Sequence, residues 1–313
     1  MSWLVTGGAG YIGAHVIREL ISANEEVVVL DDLSTGIIAS IPKNIEFIEG
    51  SITDSKVIKA TLDKYAISGI MNLAALKSVA ESELYPEKYE SINHLGVKNL
   101  IDSAKLSDVK YFIQSSTAAV YGNSPAGFVS ETDELFPISP YGKTKSSAEE
   151  VLNEAIDSNL LVGVSLRYFN VLGSATPELK DRSTANIVPM VLESLSANKA
   201  PRIFGDDYTT DDGTCIRDYV HVEDIARAHA LAVMKLRTRN LPKAINIGTG
   251  TGYSVREIMT EILNQTGSSL EPEVSARRLG DPARLVAKVD LAKKELDFTA
   301  QKTLEEMIAS SIW

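Results

Sequence analysis

The segment Thr6-Gly7-Gly8-Ala9-Gly10-Tyr11-Ile12-Gly13 constrains the fold of this chain more than any other. It follows the short apolar run Leu4-Val5 and leads into a helical pattern over Ile12–Ser22. It fits G-x-x-G-x-x-G through Gly7, Gly10 and Gly13, and G-x-G-x-x-G through Gly8, Gly10 and Gly13. Between a strand and a helix, one glycine permits the tight turn and another lets the backbone approach a pyrophosphate. The last lets the helix pack on the strand. The helix start then offers free N–H groups and a partial positive charge to an anion. The next apolar run, Val27–Leu30, ends in Asp31 and Asp32, about 20 residues beyond the glycines, where a carboxylate accepts the adenosine ribose hydroxyls. Such a carboxylate repels a 2′-phosphate, so the spacing favours NAD over NADP. The plainer reading is a glycine turn beside an ordinary acidic strand end.

Beyond the glycine loop the same rhythm repeats. Apolar runs recur at Ile45–Ile48, Ile70–Leu73, Tyr111–Ile113 and Leu160–Leu166, with a helical pattern such as Ser91–Leu106 between two of them. Alternating strand and helix implies a parallel sheet covered on both faces. Right-handed crossovers make it doubly wound. The expected class is therefore α/β, a Rossmann-type doubly wound parallel sheet with a smaller mixed α/β substrate-binding domain. After Gly173 the texture changes, and Pro177, Pro189 and Pro201 punctuate shorter elements. The expected division is residues 1–172 for NAD and 173–313 for substrate, with 213–247 returning to the main sheet through the runs Ile216–Val222 and Ala244–Ile247.

Bulk properties narrow the function. The net charge of −11 argues against nucleic acid as a partner. One cysteine, Cys215, allows neither an internal disulfide nor a cysteine cluster for zinc. His94, His221 and His229 lack ligand spacing, so no metal site is expected. No apolar run approaches the roughly 18 residues of a membrane span. The first residues already read as strand and loop, with no signal peptide, and a cytoplasmic location is expected.

Tyr141-Gly142-Lys143-Thr144-Lys145 contains Y-x-x-x-K. In a helix, Tyr141 and Lys145 lie on one face. A free tyrosine titrates near 10, too high for a base at neutral pH. A nearby ammonium and a positive nicotinamide ring stabilise the phenolate, and the tyrosine becomes a usable proton shuttle. Alone this motif is common on helix surfaces. Here Ser115-Ser116-Thr117 precedes it by about 24 residues, at the end of the run that begins at Tyr111. A hydroxyl there can bond a reacting sugar hydroxyl or ketone; the bland alternative for Thr117 is a helix or turn cap.

The chain resembles the extended short-chain dehydrogenase/reductase family over essentially its whole length, and within it the UDP-galactose 4-epimerases. The resemblance runs through TGGAGYIGAH (Thr6–His15), DDLSTG (Asp31–Gly36), AALKSVAES (Ala74–Ser82), SSTAAVYG (Ser115–Gly122) and SPYGKTK (Ser139–Lys145). It continues with LRYFNVLG (Leu166–Gly173), IFGDDYTTDDGTCIRDYVHVEDIA (Ile203–Ala226) and RRLGDPARLVA (Arg277–Ala287). DGTCIRDYVHV is the most specific stretch. The resemblance implies retained NAD, a 4-keto intermediate, and no net redox change. It implies Tyr141 as base, Lys145 as its partner and Thr117 as the bridging hydroxyl. For the cofactor it implies Gly7, Gly10, Tyr11, Ile12, Gly13, Asp31, Asp32, Ser51, Ile52, Leu73, Ala74, Ala75, Lys77, Asn93, Ser115, Tyr141, Lys145 and Tyr168. For a UDP-hexose it implies Lys77, Thr117, Tyr141, Asn170, Asn186, Ile187, Arg217, Tyr219, Arg278 and Asp281. Phe204 is expected as a wall for the uracil or as plain core. Relatives pair helices into a dimer, which Glu87–Ser107 and Ser139–Ser158 would supply here.

The departures bear on the sugar rather than the chemistry. Thr117 stands where many relatives have serine, Ser51 for a frequent aspartate, Asn72 for histidine, Val171 for proline and Cys215 for glycine. Leu285 falls near the position that limits pocket size. Another UDP-sugar (an N-acetylhexosamine, pentose or uronate) therefore stays open as substrate. A dehydratase or decarboxylase would need acid–base groups where Ala118 and Ala119 stand. A non-catalytic NAD-sensing regulator would commonly lack Tyr141 or Lys145.

Overall fold

The computed structural model describes residues 1–313 except Pro125, Thr184 and Leu279. The chain begins β1 (Ser2–Thr6), α1 (Tyr11–Ser22), β2 (Glu26–Asp31), β3 (Glu46–Glu49), α2 (Ser55–Lys64), β4 (Ile67–Asn72) and α3 (Val79–Leu84). A helical run comes next, made of α4 (Pro86–Tyr89), a π-helical segment (Glu90–Leu95) and α5 (Gly96–Ala104). Then come β5 (Tyr111–Thr117), β6 (Phe128–Val129), α6 (Pro140–Asp157), β7 (Val162–Tyr168) and β8 (Asn170–Leu172). The remainder holds α7 (Ile187–Ser196), β9 (Arg202–Phe204), β10 (Ile216–His221), α8 (Val222–Leu236) and β11 (Ala244–Ile247). It closes with β12 (Gly252–Ser254), α9 (Val255–Thr266), β13 (Glu273–Ser275), β14 (Arg284–Ala287), α10 (Asp290–Leu296) and α11 (Leu304–Ala309).

Seven parallel strands form the main sheet in the order β11-β7-β5-β4-β1-β2-β3. The direction of winding reverses between β1 and β4, which defines a Rossmann-type sheet and its ligand-binding edge. Alternation of side chains along each strand serves both faces. Trp3, Val5, Val29, Met71 and Ile113 pack on one face with Ile17 of α1 and Ile225 and Val233 of α8. Leu4, Val28, Ile70 and Phe112 pack on the other with Ile58 of α2, Leu100 of α5 and Leu152 of α6. Each such aliphatic side chain contributes about 1.5–3 kcal/mol on burial.

The second lobe is built on β12, β10, β14 and β6, with β8 added beside β10, and on the β9–β13 pair. Its core joins Leu172, Val188, Val191, Ile203 and Tyr219 to Ile258 and Ile262 of α9 and Met307 of α11. The two expected returning runs part company here. Ala244–Ile247 lies in the main sheet beside β7. Ile216–His221 does not reach it: Tyr219–His221 pairs with Asn170–Leu172, the short strand that continues from β7. In the folded sheet β11 holds the outer edge of β7, and β10 pairs with the strand that continues from β7. Among the described residues no helix is long and apolar enough to cross a membrane.

Candidate active site

The glycine loop closes on itself as the sequence requires. Gly7 has φ +71°, and a Cβ there would lie 2.5 Å from the Ala74 nitrogen. The loop after β4 is thus pressed against the loop after β1. A Cβ on Gly13 would stand 2.2 Å from the Gly7 oxygen. No side chain caps the start of α1 at Gly10, so its first N–H groups remain free for an anion. Asp31 is buried and braces the loop from behind: Oδ2 accepts from the Ala9 N–H at 2.9 Å and Oδ1 from the Leu33 N–H at 2.8 Å. Burial pushes its carboxyl up and these two N–H groups pull it down. A carboxylate has lone pairs beyond the two used, which leaves room for ribose hydroxyls. Asp32 is exposed and caps a turn through the Ser34 N–H at 3.0 Å.

Other expected cofactor residues gather along the same edge. Leu73, Ala74, Ala75 and Lys77 form the loop that leaves β4. Asn93 pins that loop, accepting from the Leu76 N–H and donating to the Leu76 carbonyl, each at 2.8 Å. Asn93 lies in the π-helical segment, a bulge of the kind often found at functional sites. Ile52 is buried, and its side chain fills the space that a Cβ on Gly96 would take. Ser51 bonds Thr53 at the surface.

Three elements converge on the reaction centre. Ser139 caps α6, accepting from the Gly142 N–H at 3.1 Å, with Pro140 in the first turn. This cap sets Tyr141 at the mouth of the helix and Lys145 one turn deeper. Thr117 ends β5 and faces Tyr141; Tyr168 lies opposite it in register on β7. Tyr168 Oη donates to His229 Nε2 at 2.6 Å. Lys145 is 3% exposed and its Nζ donates to Ser115 Oγ at 3.2 Å. The spacing predicts that Lys145 lowers the Tyr141 phenol. Burial pushes Tyr141 up, the Thr117 hydroxyl pulls it down, and the Lys145 ammonium bonds Ser115. Burial also pulls the Lys145 ammonium down to about 8, with Glu149 pulling it back up. A dry pocket disfavours charge on both groups. A positive charge brought into the pocket would favour the phenolate.

Substrate candidates fall in two groups. Lys77 Nζ lies 3.7 Å from Asp181, whose other oxygen accepts from Asn186, and Tyr11 Oη donates to the Gly173 carbonyl at 2.5 Å. Ile187 begins α7 just beyond Asn186. The second group is Phe204, Arg217, Arg278 and Asp281. The Arg278 guanidinium lies 4.2 Å over the half-buried Phe204 ring. Arg217 Nη1 donates to the Ile216 and Pro282 carbonyls. Its buried Nη2 sits 3.3 Å from Asp281 without the alignment of a hydrogen bond. An orphaned guanidinium nitrogen is suited to an incoming anion. Tyr219 is 2% exposed and belongs to the lobe's core, and its register partner on β8 is Asn170.

Some groups here had no role in the sequence reading. The backbone at 173–175 is clamped from several sides. Gly173 N–H donates to Ser311 Oγ at 2.9 Å and Ala175 N–H to His15 Nε2 at 3.1 Å. His221 Nε2 reaches Ser310 Oγ at 2.8 Å. Glu149 and Arg167 form a buried ion pair behind Lys145. For the pair a signal existed: Glu149 follows Lys145 by one helical turn, on the same face.

The uncapped helix, glycine cradle, buried Asp31 and buried Lys145 fit a dinucleotide, and the basic residues of the second lobe fit a second diphosphate. Comparison with known proteins agrees. The UDP-glucose 4-epimerase of Halalkalibacterium halodurans is 36% identical, with all of this chain and 95% of that protein aligned. The crystal structure of the Brucella ovis UDP-glucose 4-epimerase in complex with NAD superposes with a TM-score of 0.94 at 38% identity, covering 99% of this chain and 97% of that one. The Bifidobacterium longum UDP-glucose 4-epimerase, solved with NAD+ and UDP, gives 0.91 at 30% identity, over 100% and 97%. The profile of the NAD dependent epimerase/dehydratase family matches residues 3–248, and with that family's fold, loop and Tyr–Lys pair all present, the chain belongs to it.

Proposed function

We propose that the protein interconverts UDP-galactose and UDP-glucose at sugar C4, with NAD retained through the reaction. What supports this reading is Thr117 at the end of β5 facing Tyr141, with Lys145 one turn along the same helix and bonded to Ser115 of β5. In this reading residues 1–172 hold the dinucleotide, and most of 173–313 holds the UDP-sugar. Gly7, Gly10, Tyr11, Ile12 and Gly13 take the pyrophosphate. Asp31 takes the adenosine ribose, and Lys145 with Ser115 takes the other ribose. When bound, NAD supplies the acceptor and donor of hydride at C4, and its oxidised ring adds the positive charge the pocket lacks.

The chain's own groups then do the rest. Tyr141 Oη takes the proton of the 4-hydroxyl as the ketone forms and returns it afterwards. Thr117 Oγ1 holds the same sugar oxygen against Tyr141. Arg217, Arg278, Asn170 and Asn186 grip the UDP, so the hexose alone is free to present its other face. Ala118 and Ala119 offer no group to expel a 6-hydroxyl. We also infer a cytoplasmic homodimer. Exposed Leu84, Tyr85 and Leu95, in and beside α3–α5, and Leu106 just after them supply apolar surface for a second copy.

Purified protein is to be given UDP-galactose with no added NAD. UDP-glucose is expected to form, and Tyr141→Phe is expected to slow it about 10²–10⁴-fold. No conversion even with added NAD would sink the galactose assignment, and UDP-N-acetylgalactosamine would be tried next. A Tyr141→Phe enzyme at wild-type rate would sink the mechanism.

A further inference from the structure

Glu149 lies one helical turn beyond Lys145 and two beyond Tyr141 on α6, and is 2% exposed. Its carboxylate is saturated. Ser116 Oγ donates to Oε1 in a short bond. Arg167 Nε donates to Oε1 at 3.0 Å and Nη2 to Oε2 at 2.6 Å. Arg167 Nη1 donates to Tyr121 Oη at 2.9 Å, and Tyr121 donates onward to Asn246 Oδ1 at 2.7 Å. Ser116 and Arg167 are register partners on β5 and β7. Ser116 therefore sits between Ser115, which holds Lys145, and Thr117, which faces Tyr141. Arg167 sits immediately before Tyr168.

A buried ion pair is a weak stabilising device, because desolvation offsets most of the attraction. Apolar residues would fill this space as well. What they could not do is present a negative charge to the buried ammonium of Lys145.

The geometry points to Glu149 as a positioning residue of the reaction centre: it keeps Lys145 charged in a dry pocket and ties β5, α6 and β7 together, with Arg167 as its counter-charge. This role rests on the proposed part of Lys145 in the reaction. Burial draws the Lys145 ammonium down to about 8, and Glu149 is the group that opposes it. The other groups around Lys145 are accounted for. Tyr141 shares its helix, and the Tyr89 ring stands 6.4 Å from that of Tyr141. Tyr89 is tied to Glu81, which Lys88 neutralises. On the π-helical segment His94 pairs with Glu90, and on α5 Lys98 pairs with Asp102. From β7 come Arg167 and Tyr168, from the turn just after β5 comes Tyr121, and Glu131 lies beyond Asn246.

The test is an NMR titration of the holoenzyme labelled with ¹³C-lysine, the Lys145 signal being assigned by its loss in Lys145→Met. Glu149→Gln leaves Arg167 unbalanced and should lower the Lys145 midpoint by one pH unit or more, a tenfold change in proton affinity. Glu149→Gln with Arg167→Met restores neutrality and should lower it less, but measurably. The alkaline limb of kcat should move with the midpoint, while KM for UDP-galactose changes under twofold. A double variant with an unmoved Lys145 midpoint overturns the inference. A double variant that does not fold also overturns it, since it assigns the pair to the fold. If Glu149→Gln alone fails to fold, the double variant decides. If the wild type converts no UDP-sugar, the proposed function fails, while the lysine titration still reads the role of Glu149.

Discussion

Lys145→Met should stabilise the free protein while abolishing its activity. The ammonium, ordinarily near 10.5, is held at about 8 by burial. At about 1.4 kcal/mol per tenfold change in proton affinity, keeping it charged at pH 7 costs about 3 kcal/mol. Methionine fills similar volume without charge, but Ser115 loses its donor, worth about 1 kcal/mol. The net gain is about 2 kcal/mol, which moves a urea midpoint by about 0.7 M if m is near 3 kcal/mol/M. The assay is urea unfolding of both proteins, stripped of dinucleotide, from pH 7 to 10.5. The folded value lies below the unfolded one, so between about 8 and 10.5 the unfolded chain binds the extra proton. Wild-type stability therefore rises with pH there. The advantage of the variant is complete below about 8 and fades towards 10.5. A variant less stable than wild type at pH 7, or an advantage that does not fade, would refute the reasoning.

Further outcomes are expected. Gly13→Ala places a methyl 2.2 Å from the Gly7 oxygen, so it should destabilise by about 1–3 kcal/mol and lose copurifying dinucleotide. Gly10→Ala, whose Cβ meets only the Gly7 oxygen at 3.2 Å, should fold normally and lose dinucleotide all the same. His15, His221 and His229 are each held near 4 by burial. Their folded values lie below the unfolded 6.5, so the stability they lend is present above about 6.5 and lost as pH falls towards 4. Circular dichroism should show cooperative unfolding within that window, and a native spectrum at pH 4 would contradict it. Arg217→Lys should raise KM for UDP-galactose about 10–100-fold with little change in kcat, since it removes a charged hydrogen bond of about 1.5–3 kcal/mol; an unchanged KM would remove Arg217 from the site.

The parts of the site that were legible in the sequence are those whose geometry is local. Gly7 to Gly13 form one turn, Asp31 ends the adjacent strand, and Tyr141 and Lys145 are one helical turn apart. The parts that were not legible depend on tertiary competition. The bond from Lys145 to Ser115 depends on how α6 packs on β5. That β10 pairs with the strand continuing from β7, and β11 with β7 itself, is a matter of long-range pairing. Stacking of Arg278 on Phe204 depends on the β9–β13 pairing, which joins distant segments too short to show periodicity. The π-helical register that brings Asn93 to the loop after β4 leaves no trace in a pattern that reads simply as helix.

The placement of β11 has a consequence for how the chain comes to be folded at all. β7 is complete at Tyr168, yet its outer edge is covered only when Ala244–Ile247 arrives. About 75 residues intervene, on the order of 4–15 s of synthesis at about 5–20 residues per second. During that interval an apolar parallel strand presents unpaired N–H and C=O groups to the surroundings, the kind of edge on which chains aggregate. A chain truncated at residue 172 would carry that open edge permanently. The sheet that carries the glycine loop is therefore closed on that side only by a strand from the far half of the chain.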